Sequence, residues 1–356
     1  MLLFEPALRS LAAAWPDHQL HLWAPAQSCE LMAAHPYVHR RRPILRGFKE
    51  GNLGYYHSLC WRARTGYMLG RFRFDLALYP AQSPEPLGNW LLASARAAHR
   101  WLTWGDLQNQ FDWQRDRAAR SATQLLSGRP AGGHELLRNA HLAGQWGPSI
   151  EPEQVRLYLS RHAMREAGIQ VQLWRDAAED IGAAAVVGVV TGSSMGVKHY
   201  PTTSWASAIA QLWDRHRVLC ALVGGQDDQP AMRQLAAALD GAPLVAMENS
   251  VGLLTLAGIV KQLDAVISVD TAAAHFAVAQ NVPTVVLLGG GHPERFFPWP
   301  GVSHALALTH PMPCAGCFNR CIHPAPQCLT SIDPAQIVAA YDHLRGRAVA
   351  PAALAA

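Results

Sequence analysis

The chain has 356 residues, half of them hydrophobic and 16% charged, and its formal net charge is +4 at pH 7. This composition excludes an intrinsically disordered chain, and the length favours two domains over a single core. The charge is too small to indicate a nucleic-acid partner, and it fits attraction to anionic small molecules or to a membrane surface.

The first residues, MLLFEPALRSLAAAWPDHQLHLWAPA, are apolar, but Glu5 interrupts them and no basic segment precedes them. A secretory signal is therefore not predicted, and no apolar run reaches the roughly 18 residues that span a bilayer. We therefore expect a cytoplasmic protein, and its reducing compartment disfavours structural disulfides.

The first half of the chain shows an irregular alternation of strands and helices. Apolar runs predict strands at 18–25 and 74–80, and helical spacing predicts helices at 6–15, 87–99 and 134–147. No helix or strand is predicted in the polar stretch between 104 and 133.

The second half alternates short, β-branched strands with helices more regularly. Strands are predicted at 183–190, 217–225, 243–248, 264–269 and 283–291, and helices at 203–215, 230–239, 251–263, 271–280 and 334–344. The last helix has Ser331 or Asp333 as its expected N-cap. Buried strands that alternate with helices of this length predict a parallel, Rossmann-like sheet with helices on both faces.

We therefore expect an α/β chain with two Rossmann-like domains that face a central cleft. The predicted domains cover 1–165 and 166–330, and a C-terminal helix over 331–346 could pack back on the first domain. Ligands of open α/β folds bind at the carboxyl ends of the strands, so the strand exits are the places to search for a site.

One strand exit reads SVDTAAAHFAVA and places Asp270 between a strand and a helix. The backbone amides of Thr271, Ala272 and Ala273 would point out of the helix N-terminus, which attracts anions, and His275 lies one turn further along. This pattern indicates a diphosphate site. The alternative is that Asp270 only caps the helix and His275 packs at the surface.

Two further strand exits carry groups that can bind anions. TGSSMGVKHYPTTSW contains Lys198, which can approach a phosphate as a point charge, although most loop lysines are simply solvated. LLGGGHPERFFPWP contains three glycines, Gly290 among them, that permit a close backbone approach, and it adds His292, Glu294 and Arg295. Its alternative is a tight turn with an exposed charged pair.

Four cysteines lie close together in PMPCAGCFNRCIHPAPQC, namely Cys314, Cys317, Cys321 and Cys328. Their spacing lets four thiolates reach one tetrahedral centre, which predicts a structural zinc or iron with no open position for catalysis. Two local disulfides or four free thiols are the alternatives.

Several segments resemble the heptosyltransferase-type glycosyltransferases, glycosyltransferase family nine. They are VKHYPTTSW, ISVDTAAAHFAVAQNVPTVVLLGGG and CAGCFNRCIHPAPQCLTSIDPAQI, with MLLFEPALRSLAAAWPDHQLHLWA and HELLRNAHLAGQWG in the first half. The resemblance implies an inverting enzyme of GT-B fold that binds a nucleotide diphosphate sugar in the second domain and the acceptor in the first. Some members of the family have a similar cysteine cluster, which in certain protein-directed heptosyltransferases resembles an iron-binding finger.

The resemblance also assigns roles to residues of this sequence. Lys198 would bind a phosphate, and Asp270 with the amides that follow it would hold the diphosphate beside His275. The ribose and the base would lie over the exits at 224–228 and 248–254. The acceptor would be a lipopolysaccharide, a polysaccharide or a protein-linked glycan, with peripheral contact at the inner membrane and without a catalytic metal.

The sequence departs from the family pattern at two places. Ala272 stands where members usually have glycine, and Met1 falls directly after the family's first strand and the Gly-Asp loop whose aspartate is thought to be the general base. Glu5 is the nearest carboxylate and a weak candidate for a replacement. The hypotheses are that the true start lies upstream, or that the chain is a catalytically impaired nucleotide-sugar-binding or scaffold protein. A separate alternative is another sugar-nucleotide enzyme of the GT-B or epimerase type.

Overall fold

A computed structural model describes residues 1–44, 52–128, 133–148, 150–151, 154–193, 195–239 and 241–349. Its contacts divide the chain into unit 1, made of Met1 and Leu3–Pro152, and unit 2, made of Leu2 and Glu153–Ala356. In the part of the chain that is described, no helix combines the length and the apolar character needed to cross a membrane.

Unit 1 contains five parallel strands and six helices among its described residues. The strands are β1 (Leu20–Pro25), β2 (Val38–Ile44), β3 (Phe74–Tyr79), β4 (Ala97–Trp104) and β5 (Gln124–Ser127). The helices are α1 (Glu5–Ala14), α2 (Ala26–Leu31), α3 (Asn52–Arg71), α4 (Pro86–Ser94), α5 (Asp112–Ser121) and α6 (Glu135–Ala143). The helix predicted at 87–99 therefore ends at Ser94, because the residues that follow pair with β3 and β5 as strand β4.

The strands of unit 1 form two separate sheets, one of β1 and β2 and one of β3, β4 and β5. Placed side by side in the order β2, β1, β3, β4, β5, these strands correspond to the 3-2-1-4-5-6 order of a doubly wound sheet without its strand 1, which would lie between β1 and β3. Side chains of β1 and β3 meet nevertheless, since the rings of His21 and Phe74 lie 5.8 Å apart. Within the described residues no strand lies between β1 and β3.

A shared core lies beneath both sheets of unit 1. Ala7 and Leu11 of α1 pack with Leu142 of α6, and Leu20 and Leu78 contact this cluster from β1 and β3. The helix α1 forms because its small and apolar residues recur on one face, with Pro6 in the first turn, where proline is tolerated.

Unit 2 contains a single six-stranded sheet. The strands are β6 (Ala185–Val190), β7 (Val218–Leu222), β8 (Leu244–Ala246), β9 (Ala265–Val269), β10 (Thr284–Leu287) and β11 (Ala305–Leu308). The helices are α7 (Arg161–Asp180), α8 (Thr202–His216), α9 (Gln229–Ala238), α10 (Leu253–Lys261), α11 (Ala272–Ala279), α12 (Gln327–Thr330) and α13 (Pro334–Val349).

All strand pairs of this sheet are parallel, and their order is β11-β10-β9-β6-β7-β8. In chain order this is the 3-2-1-4-5-6 arrangement of a doubly wound fold. The strand order reverses between β6 and β9, where Val190 pairs with Ser268. A ligand crevice is expected outside the carboxyl ends of these two strands.

The whole of α7 belongs to unit 2, whose main segment begins at Glu153. This helix packs along α10, where Thr255 donates a hydrogen bond to Glu166 over 2.9 Å. The helix α13 contacts α8, β10 and β11 of the same unit. Asp333 caps it as predicted, because its Oδ1 accepts from the amide of Ala335 while Gln336 accepts from the amide of Asp333.

Candidate functional site

Two of the three predicted segments meet where the strand order of unit 2 reverses. Lys198 lies in a short 3-10 helix, Gly196–Lys198, after β6, and Asp270 directly follows β9. Ser194 of the first segment lies outside the described residues. Because β6 and β9 are neighbours, their exits bring a cation and a carboxylate together at the expected crevice.

The lysine and the aspartate form an ion pair. Nζ of Lys198 lies 2.7 Å from Oδ2 of Asp270 and 3.5 Å from its carbonyl oxygen. The side chains are only 19% and 11% exposed, so solvent screens this pair less than an ordinary surface pair. Asp270 thus holds Lys198 in place before any ligand arrives.

The helix α11 begins directly after this pair. Thr271 is its N-cap in an extended conformation, and its side chain forms no capping hydrogen bond to the helix. Ala273 is buried against the sheet, whereas Ala272 is exposed at the first turn. The alanine at the position of the family's glycine is therefore accommodated by the helix, and the first amides keep the orientation that binds anions.

His275 is held by two aromatic residues that the sequence analysis did not assign. Its ring stacks on Phe297 with centroids 4.3 Å apart, and Nε1 of Trp299 donates to its Nδ1 over 3.2 Å. Its other nitrogen, Nε2, lies 3.7 Å from Oδ1 of Asp270. The available signal was the FFPWP run after the third strand exit, to which the sequence analysis gave no role.

The third segment leaves β10, the neighbour of β9, and its His292 interacts electrostatically with the other two segments. The pKa of His292 is lowered, first by burial and then by the charges of Arg295 and Lys198, while Asp270 acts in the opposite direction. Arg295 places its guanidinium over the ring of Phe296 at 5.2 Å. His292 therefore interacts with charges from all three predicted segments.

Gly290 and the neighbouring glycine support the cysteine-rich segment. The amide of Gly316 donates to the carbonyl of Gly290 over 2.8 Å, and the amide of Phe318 donates to the carbonyl of Gly291 over 2.9 Å. A Cβ atom on Gly291 would lie 2.1 Å from Oδ1 of Asn319. Glycine is needed here because the segment approaches the backbone closely.

The four clustered cysteines carry free thiols and are partly exposed. Among the residues that the structure describes, no group of three or more His, Cys, Asp or Glu side chains is arranged to hold a metal ion. In this arrangement the thiols do not fit a metal centre, and the structural zinc or iron stays a prediction.

Glu5, the candidate replacement for the general base, occupies a structural position. Its side chain is fully buried, and Nε of Arg9 donates to Oε1 over 2.7 Å, with Nε2 of His35 at 3.6 Å from the same atom. A general base must reach the acceptor hydroxyl, which a buried and paired carboxylate does not do. The burial and the pairing disfavour Glu5 as a base, and the general base of this chain stays unassigned.

The segments after β7 and β8 are predicted to contact the ribose and the base. Asp228, after β7, packs against Gly192 at the exit of β6. The amide of Gly225 donates to Oδ2 of Asp228 over 2.8 Å, and a Cβ atom on Gly192 would overlap the same carboxylate. Gln229 donates to the carbonyl of Met247 over 2.9 Å. A cavity of about 290 Å³ lies elsewhere in unit 2, between the end of α11 and the segment before β11, and does not include these groups.

Comparisons with known proteins identify the relatives of this chain. A sequence profile described as "Glycosyltransferase family 9 (heptosyltransferase)" matches residues 129–323, more than half of the chain, whereas no curated protein sequence matches. The structure of ADP-heptose lps heptosyltransferase II from E. coli has a TM-score of 0.70 at 19% identity, covering 98% of this chain and 96% of that one.

Two further structures agree with this similarity. A family 9 glycosyl transferase from Veillonella parvula has a TM-score of 0.71 at 17% identity, covering 97% of this chain and 93% of that one. Heptosyltransferase WaaC from E. coli has a TM-score of 0.64 at 15% identity, covering 97% and 95%. These similarities confirm the predicted α/β, GT-B fold class, and the profile match shows that the chain belongs to glycosyltransferase family 9.

Proposed function

We propose that this chain is an inverting glycosyltransferase that moves a sugar from a nucleotide diphosphate sugar to a lipopolysaccharide, polysaccharide or protein-linked acceptor. The observation that carries the proposal is the Lys198–Asp270 ion pair beside the N-terminus of α11. Heptose is the first sugar to test, because the matching profile carries the description heptosyltransferase.

The diphosphate of the donor would lie on the first amides of α11. A helix N-terminus offers unpaired N–H groups and a partial positive charge, and Lys198 adds a full positive charge beside it. Asp270 is negative, and its carboxylate already contacts Lys198 and His275, so its role is to orient these two groups rather than to touch phosphate. WaaC was solved with ADP-2-deoxy-2-fluoro heptose and with ADP, which supports a donor of this class.

Transfer breaks the bond between the anomeric carbon and the diphosphate oxygen, and the electron pair leaves with the diphosphate. An acceptor hydroxyl oxygen forms the new bond from the opposite face, which inverts the anomeric configuration, and its proton passes to a base. With the diphosphate bound as proposed, Lys198 and the amides of α11 would lie beside the leaving group, and preorganised charges of this kind lower the barrier.

The residue that accepts the proton is not assigned, because Glu5 is buried against Arg9. This observation favours a second candidate function, a protein that binds nucleotide sugars without transferring them. An acceptor carried on a lipid would bring either protein to the inner membrane as a peripheral partner.

A panel of nucleoside diphosphate sugars distinguishes these functions. Ligands that bind the folded protein stabilise it by about 2.7 kcal/mol at a concentration of 100 Kd, which raises the melting temperature. Stabilisation by a sugar nucleotide, followed by release of the nucleoside diphosphate when acceptor glycan is added, supports the transferase. Binding without turnover supports the second candidate, and the absence of binding to every member of the panel contradicts both.

A further inference from the structure

The contact between Trp299 and His275 determines where the histidine carries its proton. Nε1 of Trp299 lies 3.2 Å from Nδ1 of His275. Histidine tautomers are ordinarily assigned from the surrounding hydrogen bonds. A hydroxyl or a side-chain amide would leave the assignment open, because each can either donate or accept. An indole N–H can only donate, so Nδ1 must accept.

A histidine nitrogen that accepts a hydrogen bond carries a lone pair and no proton. The proton of the neutral ring is then on Nε2, which faces Asp270 at 3.7 Å. In the doubly protonated ring both nitrogens donate, and Nδ1–H would point at the indole N–H. The contact therefore disfavours the cationic form of His275 and selects one of the two neutral tautomers.

We propose that Trp299 is a positioning residue that keeps His275 neutral and protonated at Nε2. The histidine then presents a neutral N–H donor beside the N-terminus of α11. This assignment deepens the proposed function, on which its role toward a diphosphate donor rests.

The stacked ring of Phe297 supports the same orientation. Its centroid lies 4.3 Å from that of His275, with an interplanar angle of 20°. Trp299 is 3% exposed and Phe297 is 1% exposed, so both partners are fixed by the surrounding core. Rotation of the imidazole by half a turn would bring a carbon atom to the indole N–H and lose the hydrogen bond.

Several charged groups face His275 from other elements. Asp270 at the end of β9 favours the cationic ring, whereas Lys198, paired with Asp270 at 2.7 Å, opposes it. His292 and Arg295 come from the loop after β10, and His292 interacts with Arg295, Lys198 and Asp270. The effects of the negative and positive neighbours on the protonation of His275 partly cancel. The hydrogen bond from Trp299 is then the contact that selects between the two neutral tautomers.

A neutral donor suits the geometry of this crevice. Lys198 lies against Oδ2 of Asp270 and Nε2 of His275 lies against Oδ1, so one carboxylate orients both groups. A neutral ring leaves Asp270 paired with Lys198 and adds a directional N–H.

Nitrogen chemical shifts of ¹⁵N-histidine-labelled protein test the proposal without any donor present. We expect Nδ1 of His275 to have the shift of an unprotonated nitrogen and Nε2 that of a protonated one at neutral pH, with the signal assigned by its loss in His275→Gln. In Trp299→Phe we expect a mixture of the two tautomers and a titration midpoint about one pH unit higher, the size of effect that one hydrogen bond produces.

Trp205→Phe is the matched control, since Trp205 is a buried tryptophan of the same unit that packs on Tyr200. It should leave the His275 signals unchanged. A protonated Nδ1 in the native protein overturns the proposal even if Trp299→Phe does not fold, and so does an unchanged titration in a folded Trp299→Phe. Because these signals are read without ligand, they can fail while the proposed transfer activity holds.

Discussion

Nζ of Lys198 lies 2.7 Å from Oδ2 of Asp270, and this contact joins the loop after β6 to the end of β9. The two strands are adjacent where the order of the sheet reverses. The positions of both charged groups are therefore fixed by the backbone where it leaves the two strands, and not only by the conformations of their side chains. A cation that is already oriented next to a helix N-terminus needs little rearrangement to bind a diphosphate.

Replacement of Lys198 by methionine should weaken the binding of nucleoside diphosphate sugars about ten- to a hundredfold. The variant loses a charge-assisted hydrogen bond worth about 1.5–3 kcal/mol, while the methionine keeps much of the side-chain length. Isothermal titration with the donor found in the panel measures the change.

Lys261→Met is the control for the loss of one positive charge, because Lys261 is exposed at the end of α10. It should change the dissociation constant less than about twofold, as expected for a screened surface charge. Equal affinities of Lys198→Met and the native protein would place the phosphates elsewhere.

Acidification should destabilise the protein in part through His292. Burial and the charges of Arg295 and Lys198 lower the pKa of His292 in the folded state. The unfolded chain therefore binds the proton more readily, and the free energy of unfolding falls as pH decreases below about 6.5. The pKa of His21 in unit 1 is also lowered, so it contributes in the same direction.

The contribution of His292 is measured as the difference in pH dependence of stability between the native protein and His292→Asn. Melting temperatures between pH about 5 and 8 should fall less steeply in the variant, because asparagine has no proton to gain. His99→Asn, a change at a histidine on the exposed side of β4, should preserve the native slope. A variant profile parallel to the native one would show that His292 is not buried as described.

The strand exits of unit 2 could be predicted because local pattern and tertiary structure agree there. The strands β6, β7, β9 and β10 are buried along nearly their whole length and therefore consist of continuous apolar runs. Polar residues directly after such runs must lie at one edge of the sheet. Lys198, Asp270 and His292 were found in this way.

Other features depend on contacts between distant residues and give little local signal. The strand β4 has the sequence AAHRWLTW, which continues a helical pattern until its pairing with β3 and β5 makes it a strand. Trp299 becomes part of the site only because the chain turns back over α11. The burial of Glu5 likewise follows from its contacts with Arg9 and His35, whereas the sequence shows only an isolated carboxylate.

Replacement of Gly192 by alanine should destabilise the protein by about 1–3 kcal/mol, the usual cost of overpacking. The new methyl group would lie 1.8 Å from Oδ1 of Asp228, which must move and lose its bond to the amide of Gly225. Denaturant unfolding measures the change. In the presence of Asp228→Ala the same glycine substitution should cost less, and additive effects would show that the two residues are not in contact.

The structural metal predicted at the cysteines has a direct test. The sequence-based prediction requires about one zinc or iron ion per chain in protein purified under reducing conditions, because four thiolates complete a tetrahedral shell. Cys321→Ser should lose the metal, whereas Cys220→Ser, a change at a buried core cysteine in β7, should keep it. Metal-free protein with seven titratable thiols would favour the free cysteines that the structure contains.

The interrupted sheet of unit 1 should be visible in hydrogen exchange. Within the described residues, β1 pairs only with β2 and β3 pairs only with β4, so each strand has one edge whose amides are not held by a neighbouring strand. Peptides covering Leu20–Pro25 and Phe74–Tyr79 should therefore exchange about half of their amides at least roughly tenfold faster than Ala97–Trp104, because local opening is not needed to expose them. The strand β4 is the internal control, since it belongs to the same unit and pairs with β3 and β5 on its two sides. If all three peptides were equally protected, a further strand would have to cover the edges of β1 and β3, and the sheet would be continuous in solution.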